Sequence, residues 1–340
     1  MKHLPAPSTL LMLAATLFII PLPAPCETLP EAGADTNSDT ELIEALIAHH
    51  TAAREKIKSY HAKYTYERIM DPPPGTIVTD PQLYRDTTAE AEIIRQGDCY
   101  WFTRHSTSDV EGPHKDLMEY AVLNPKYYVE IHVPEIYKDQ VITAYWVDHK
   151  GLDALDETPM ARSAKYFTLP EPIVYGFTGA NYGKLENTYH LNRKFSKWTV
   201  SRTNSSYVLT RDLFVHEQLR TRGIYSINSE KGYMLELVDV NHLQEDLETK
   251  IQVELEALGN GVYFPKTIDV DAEEHEFRMI DKIKVTEVEI NNEYPDIQFE
   301  FGAIPVDMSR LRVKRSFVDG KLRDYRYLNG EFIPEEILKR

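Results

Sequence analysis

VTEVEINNEYPDIQFEFGAIP, residues 285–305, reads as two half-buried strands parted by a polar corner. Val288 and Ile290 share one face of the first strand, and Ile297, Phe299 and Phe301 recur at every second position of the next. Successive side chains of a strand point to opposite faces, so a period of two buries one face and wets the other. The spacer Asn-Asn-Glu-Tyr-Pro-Asp holds no glycine, which argues against a tight two-residue hairpin. Just before it, in DKIKVTEVEI, the apolar phase slips between Val285 and Val288, predicting a bulge or a bend.

The same alternation runs through most of the chain. In KIQVELEAL, Ile251, Val253 and Leu255 face inward while Lys250, Gln252, Glu254 and Glu256 face water, and Gly259-Asn260-Gly261 turns the chain into VYFPKTIDV. KWTVSR, SYVLTRDLF, GIYSINS and GYMLELVDV are further strands, with Ser229–Gly232 as a turn, and LRVKRSFV and KLRDYRYL close the sequence. Nearer the start, YHAKYTYERIM puts Tyr60, Ala62, Tyr64 and Tyr66 on one face. AEAEIIRQG, CYWFTRHS, KDLMEYAVL, KYYVEIHV and VITAYWVDH come next as strands. Ahead of them Leu42, Ile43, Leu46, Ile47 and Ile57 recur at helical spacing, with Asp39 or Thr40 as the cap.

Strands this numerous, with one wet face, predict a mainly β fold with α-helices (α+β), an antiparallel sheet that curls into a barrel or sandwich. Residues 150–192 change character: Pro159, Pro170, Pro172, Gly176, Gly179 and Gly183 interrupt short apolar pieces. That section is an insertion, either a long functional loop or a lid with a short helix around residues 152–164. Residues 40–340 form a single domain on this reading, since no interior linker or fixed repeat divides them.

Of the 340 residues, 42% are hydrophobic and 27% charged, as in ordinary globular proteins. The net charge of −16 opposes binding to nucleic acid or to anionic lipid headgroups, so membrane contact is expected to be peripheral or none. Tyrosine is abundant at 21, against 15 glycines, which favours strands over glycine-rich phosphate loops.

Lys2 precedes the apolar run Leu10–Ile20, too short to span a bilayer but suited to a signal peptide. We expect residues 1–26 to be that signal and residues 27–39 a flexible lead-in, with Ala24-Pro25-Cys26 or Ala32-Gly33-Ala34 as the cleavage site. The mature protein is then periplasmic or secreted. Lipidation of Cys26 is the alternative, which Pro25 fits badly. If Cys26 leaves with the signal, Cys99 stands alone, a small buried hydrophobe rather than a nucleophile.

Catalytic patterns are missing from the sequence. G-x-S-x-G, a Walker loop and G-x-G-x-x-G are all absent. The adjacent His49 and His50 point about 100° apart on a helix and cannot ligate a metal as an i, i+4 pair would. His216-Glu217 and Asp239-Asn241-His242 are weak pairs on strands or loops. The expectation is therefore no cofactor, no metal and no enzyme, although 54 acidic residues leave chance carboxylate pairs for a glycosidase. Trp101, Trp146 and Trp198 lie in alternating runs and read as core or cavity lining rather than sugar platforms. The inward face, Tyr64, Tyr66, Phe102, Leu235, Leu237, Ile251, Val253 and Leu255, either fills a dry core or walls a hydrophobic cavity.

The order of elements, a helix ending in KIKSYHAKYTYER, a meander, the GYMLELVDV and GVYFPKTIDV pair and then VTEVEINNEYPDIQFEFGAIP, resembles the periplasmic lipoprotein-carrier superfamily over most of residues 40–310. The late strand with an Asn-containing corner and I-x-F-x-F is its most specific piece, and Pro305-Val306-Asp307 is a distorted match to the turn and valine-aspartate pair typical of that superfamily. The resemblance implies an unclosed antiparallel barrel, a half-barrel, with a helical or loop lid over a cavity for acyl chains. It also implies lipid or lipidated-protein partners and no catalytic residues. An envelope sensor on the same fold, or an exported hydrolase, are the competing functions.

Overall fold

In a computed structural model of the chain, the described residues are 36–72, 75, 84–111, 115–134, 142–148, 171–177, 184–191, 195–245, 247–273, 277–307, 310–318, 321–329 and 331–338. The expected signal, the possible helix around 152–164 and the start of the lead-in lie outside them. Helix α1 (Thr36–Glu55) is followed by β1 (Ser59–Asp71), β2 (Thr87–Gln96), β3 (Cys99–Ser108), β4 (Asp116–Leu123), β5 (Tyr127–Pro134) and β6 (Ile142–Asp148). The short helices α2 (Pro172–Tyr175) and α3 (Leu185–Leu191) come next. A second meander holds β7 (Ser196–Thr203), β8 (Ser206–Val215), β9 (Gln218–Asn228), β10 (Met234–His242), β11 (Leu247–Gly259), β12 (Val262–Glu273) and β13 (Arg278–Ile290). Strands β14 (Leu311–Val318), β15 (Lys321–Leu328) and β16 (Glu331–Pro334) and a one-turn helix α4 (Glu335–Leu338) complete the order.

The sixteen strands of the described residues join one curved sheet, in the order β16-β15-β14-β6-β5-β4-β3-β2-β1-β13-β12-β11-β10-β9-β8-β7. The two meanders meet where β1 lies antiparallel to β13, from Tyr60 opposite Ile290 to Asp71 opposite Arg278. The sheet does not close: β16 and β7 are its edges. Pairing is antiparallel as expected, except that β14 joins β6 in parallel.

The phase slip read at Val285–Val288 is a β-bulge. Lys63 pairs with Glu287 and Tyr64 with Val285, leaving Thr286 as the extra residue, whose hydroxyl donates to the Lys63 carbonyl at 3.0 Å. The hairpin at Gly259-Asn260-Gly261 has φ of 94°, 53° and 70°, the left-handed region that glycine and asparagine enter most easily.

The second half of residues 285–305 differs from the expected strand. Asp296–Phe299 and Phe301–Ala303 are two 3-10 turns. Pro295 cannot donate to a ladder, and the chain here leaves β13 and passes beyond β1–β6 in the strand order to reach β14. The first turn buries Phe299 but leaves Ile297 73% exposed, and Ile304 is buried just past the second, so the I-x-F-x-F alternation does not mark two strand faces. Asn124 seals the crossing, its amide donating to the Phe299 carbonyl at 2.8 Å, and the Trp101 indole donates to Ala303 at 3.3 Å.

The crossing also corrects the expectation of one wet face throughout. Ile94, Trp101, Val122, Val129, Ile131 and Ile142 form one buried cluster with Phe299, Ile304 and Leu311. Their strand neighbours Ile93, Phe102, Ala121 and Tyr128 belong to the larger cluster that α1 covers. Strands β2–β5 are therefore buried on both faces. Helix α1 begins at Thr36, ahead of the expected cap at Asp39 or Thr40, and stops at Glu55, before Ile57. Its Leu42, Ile43, Leu46 and Ile47 are buried against the sheet.

Candidate functional site

The face that carries α1, the inner face, divides into two chemically different halves. Strands β8–β13 present aliphatic side chains, among them Leu209, Ile227, Leu235, Val238, Val240, Ile251, Val253, Leu255, Ile268 and Ile283. The apolar side of α1 packs into this half together with Ile173, Tyr175 and Phe177 from α2 and its exit. Gly176 permits the approach: a Cβ there would stand 2.3 Å from the Met234 side chain, while its carbonyl accepts from the Leu235 amide at 3.0 Å. Burial of this area is the main stabilising term of the fold.

Seven of the eight expected cavity residues, Tyr64, Tyr66, Phe102, Leu235, Ile251, Val253 and Leu255, lie in this one cluster. Leu237 does not. The register of β10 against β9 passes from Leu235–Ile227 directly to Leu237–Ser226, so Glu236 is an extra residue. Beyond a bulge the faces exchange, and Val238 and Val240 take the inward positions while Leu237 is half-buried on the other side.

On β1–β5 the inner face is polar and aromatic over a floor of small residues. One line straight across the sheet runs Val285, Tyr64, Ala91, Arg104, Glu119, His132. The next runs Ala62, Ile93, Phe102, Ala121, Glu130, and the one beyond it Tyr60, Arg95, Tyr100, Leu123, Tyr128. Ala62, Ala89, Ala91 and Ala121 are all buried.

The charges on this half are paired. Arg68 holds both oxygens of buried Asp281, at 2.7 and 2.8 Å, and Tyr66 donates to the same carboxylate at 3.0 Å. Arg95 holds Glu171, just ahead of α2, and the Tyr60 hydroxyl donates to it too. Arg104 Nε donates to Glu119 at 2.5 Å. Glu130 accepts from the Tyr128 hydroxyl at 2.8 Å and contacts His132, whose other ring nitrogen lies 3.7 Å from Glu119.

Burial raises the phenols of Tyr60, Tyr64, Tyr66 and Tyr128 well above their ordinary value, so all four stay protonated. At His132 burial works to lower the pKa, but the Glu130 hydrogen bond and the charges of Glu130 and Glu119 outweigh it and raise it. The Tyr64 hydroxyl is buried without a hydrogen-bond partner among the described residues.

The sequence reading missed Arg68, Arg95, Arg104, Glu119, Glu130, His132 and Asp281. A signal existed: Arg68 is in phase with Tyr64 and Tyr66, Arg104 with Phe102, and Asp281 with Ile283 and Val285. His50, dismissed as a ligand, is fully buried, with Nδ1 2.7 Å from the Tyr233 carbonyl oxygen. Cys99 is half-buried at the start of β3, and burial raises its thiol. Among the described residues no group of His, Cys, Asp and Glu is placed to hold a metal ion. No helix among them is long and apolar enough to cross a membrane.

A separate cavity of about 360 Å³ opens at the corner after β13, lined by Lys58, Ser59, Gln96, Asn291, Asn292, Glu293 and Tyr294. Asn291 takes φ 58° and pins this corner, accepting from the Lys58 amide at 2.8 Å and donating to the Lys56 carbonyl at 3.0 Å.

No family model matches the sequence, and no curated protein matches it. Solved structures do resemble the chain. A DUF1329 family protein from Desulfovibrio piger has a TM-score of 0.38 at 9% identity, over 77% of this chain and 98% of that one. A LolA superfamily protein from Nitrosomonas europaea has 0.36 at 8%, over 77% and 98%. A chain from Vibrio parahaemolyticus described as an outer membrane lipoprotein-sorting protein domain has 0.37 at 5%, over 76% and 98%. The likeness is remote.

Proposed function

We propose that the chain is an exported, non-enzymatic protein that binds or carries an acyl-bearing ligand, a lipid or a lipidated protein, on the inner face of its open sheet. The observation that carries this reading is the floor of Ala62, Ala89, Ala91 and Ala121, walled by Tyr64, Tyr66 and Phe102. Small side chains between large aromatic ones leave less volume filled than an interlocked aliphatic core, and an acyl chain that displaced the cover of this floor would find a trough there. Each methylene of an acyl chain buried there stabilises the complex by about 0.8 kcal/mol. Glu171, held by Arg95 and Tyr60, fastens α2 at one end of this half.

The aliphatic half supports a second reading, an envelope sensor or interaction protein with a filled sheet. Leu235, Ile251, Val253 and Leu255 are already in the cluster that the apolar face of α1 joins. A hydrolase has less support. Glu119 and Glu130 do converge on His132, but Glu119 is engaged by Arg104 and Glu130 by Tyr128.

Organic extraction of the purified protein and mass spectrometry of the extract, with titration of a fluorescent fatty acid, tests the first reading. Co-purified acyl species and saturable binding are expected. An empty extract together with no fatty-acid binding would leave the sensor reading in its place.

A further inference from the structure

We propose that Tyr64 and Arg104 form a headgroup site for a ligand oxyanion, a carboxylate or a phosphate, at the polar end of the trough; this rests on the acyl-binding reading above. The two residues stand on one cross-strand line with only Ala91 between them. Neighbouring strands lie about 4.8 Å apart, so their backbones are separated by about 10 Å, a span that two long side chains can narrow to the size of an oxyanion. Ala91 fills none of the height that its neighbours reach.

Both side chains have unused donors. Tyr64 is 2% exposed, and its hydroxyl has no partner among the described residues. A buried hydroxyl left unpaired is unfavourable, and a ligand oxygen would relieve it. Arg104 commits Nε to Glu119, while its two Nη atoms make no hydrogen bond among the described residues. The charges of Arg104, Glu171 and Glu119 all act on the Tyr64 phenol, which places it within electrostatic reach of the guanidinium and of the two carboxylates that Arg95 and Arg104 hold. Guanidinium N–H groups only donate, so the ligand must supply acceptors, and an oxyanion accepts from a phenol and a guanidinium most strongly. Glu119 positions the guanidinium by its hydrogen bond to Nε. His132, alongside Glu119, together with Arg104 balances the two carboxylates Glu119 and Glu130 when its ring is protonated.

The site is tested with two probes that share a fluorescent acyl tail, one ending in a carboxylate and one in a methyl group, and with inorganic phosphate as competitor. The carboxylate probe should bind about tenfold or more tightly than its methyl counterpart. Tyr64→Phe and Arg104→Lys should each remove most of that advantage, read as the ratio of the two probes' affinities within each variant, which a general change in the trough would leave unaltered. Phenylalanine keeps the ring in the core, and lysine keeps a cation beside Glu119; circular dichroism verifies that both variants fold. Equal binding of the two probes to the parent protein would overturn the headgroup site and leave acyl binding standing, as would variants that weaken both probes alike. Binding of neither probe would sink the acyl reading. Phosphate bound in that case, and lost in Tyr64→Phe, would move the site to a free anion and overturn its role as a lipid headgroup site.

Discussion

Arg95 on β2 grips both carboxylate oxygens of Glu171, at 2.8 and 2.9 Å, across 76 positions of sequence. Through this pair the segment that begins α2 is fastened to the middle of the sheet. Glu171→Ala leaves a half-buried guanidinium and the Tyr60 hydroxyl without their acceptor. The cost should be about 1–3 kcal/mol by urea unfolding, below that of a fully buried pair because Arg95 remains 38% exposed. Hydrogen exchange at the amides of Ile173–Phe177 should quicken more than exchange in β2, and unchanged exchange there would rule out the fastening role.

The bulge at Glu236 separates two leucines that look equivalent in sequence. Leu235→Ala should cost about 2–5 kcal/mol, because Leu235 is fully buried. Leu237→Ala should cost about 1 kcal/mol or less. Equal losses in chemical denaturation would contradict the exchange of faces.

Asp281 is 2% exposed and is shared by Arg68 and Tyr66. Asp281→Ala strands a guanidinium and a phenol at the junction of the two meanders, and the expected loss is about 1–3 kcal/mol, because Arg68, like Arg95, remains 38% exposed. The double variant with Arg68→Met should recover part of it. A double variant no more stable than the single one would show that the penalty does not come from the stranded cation.

His50 and His132 should drive stability in opposite directions with pH. Burial lowers His50 below its ordinary value, outweighing the hydrogen bond at Tyr233. Its favourable contribution is full above about pH 6.5 and is lost as pH falls toward the folded value, because only the unfolded chain takes up the proton. The slope reaches about 1.4 kcal/mol per pH unit at most. His49 is lowered too, and adds in the same sense. His132 is raised, so its contribution is full below about pH 6.5 and is lost as pH rises through the folded value. Unfolding midpoints between pH 5 and 8 should decline less steeply toward acid in His50→Asn and more steeply in His132→Gln. Identical slopes in the two variants would refute this assignment.

Much of the fold was legible because strand alternation is local. In β11 each of Ile251, Val253 and Leu255 is buried and each of Gln252, Glu254 and Glu256 exposed, as the letters alone imply. The bulge at Thr286 was legible as well, since the pattern itself slips there. The bulge at Glu236 was not, because Leu-Glu-Leu alternates without fault and only the partner strand imposes the extra residue. Phe299 and Phe301 misled for a related reason: whether spaced aromatics form a strand depends on a ladder partner, and this segment crosses the sheet instead of joining it. The polar half of the inner face was hidden because Arg104, Glu119 and Asp281 find their partners only after strands distant in sequence align. A charge in a strand read alone is assigned to water.

The parallel junction of β14 with β6 has a consequence for assembly. Until β14 arrives, β6 presents a full row of unpaired backbone donors and acceptors, the kind of border that recruits other chains. Its guard is encoded more than 160 residues downstream, after the whole second meander. During synthesis β6 therefore waits uncovered while the remainder of the sheet is made, and aggregation in that interval would compete with folding. A chain cut before Leu311 should keep most of its sheet and lose its solubility.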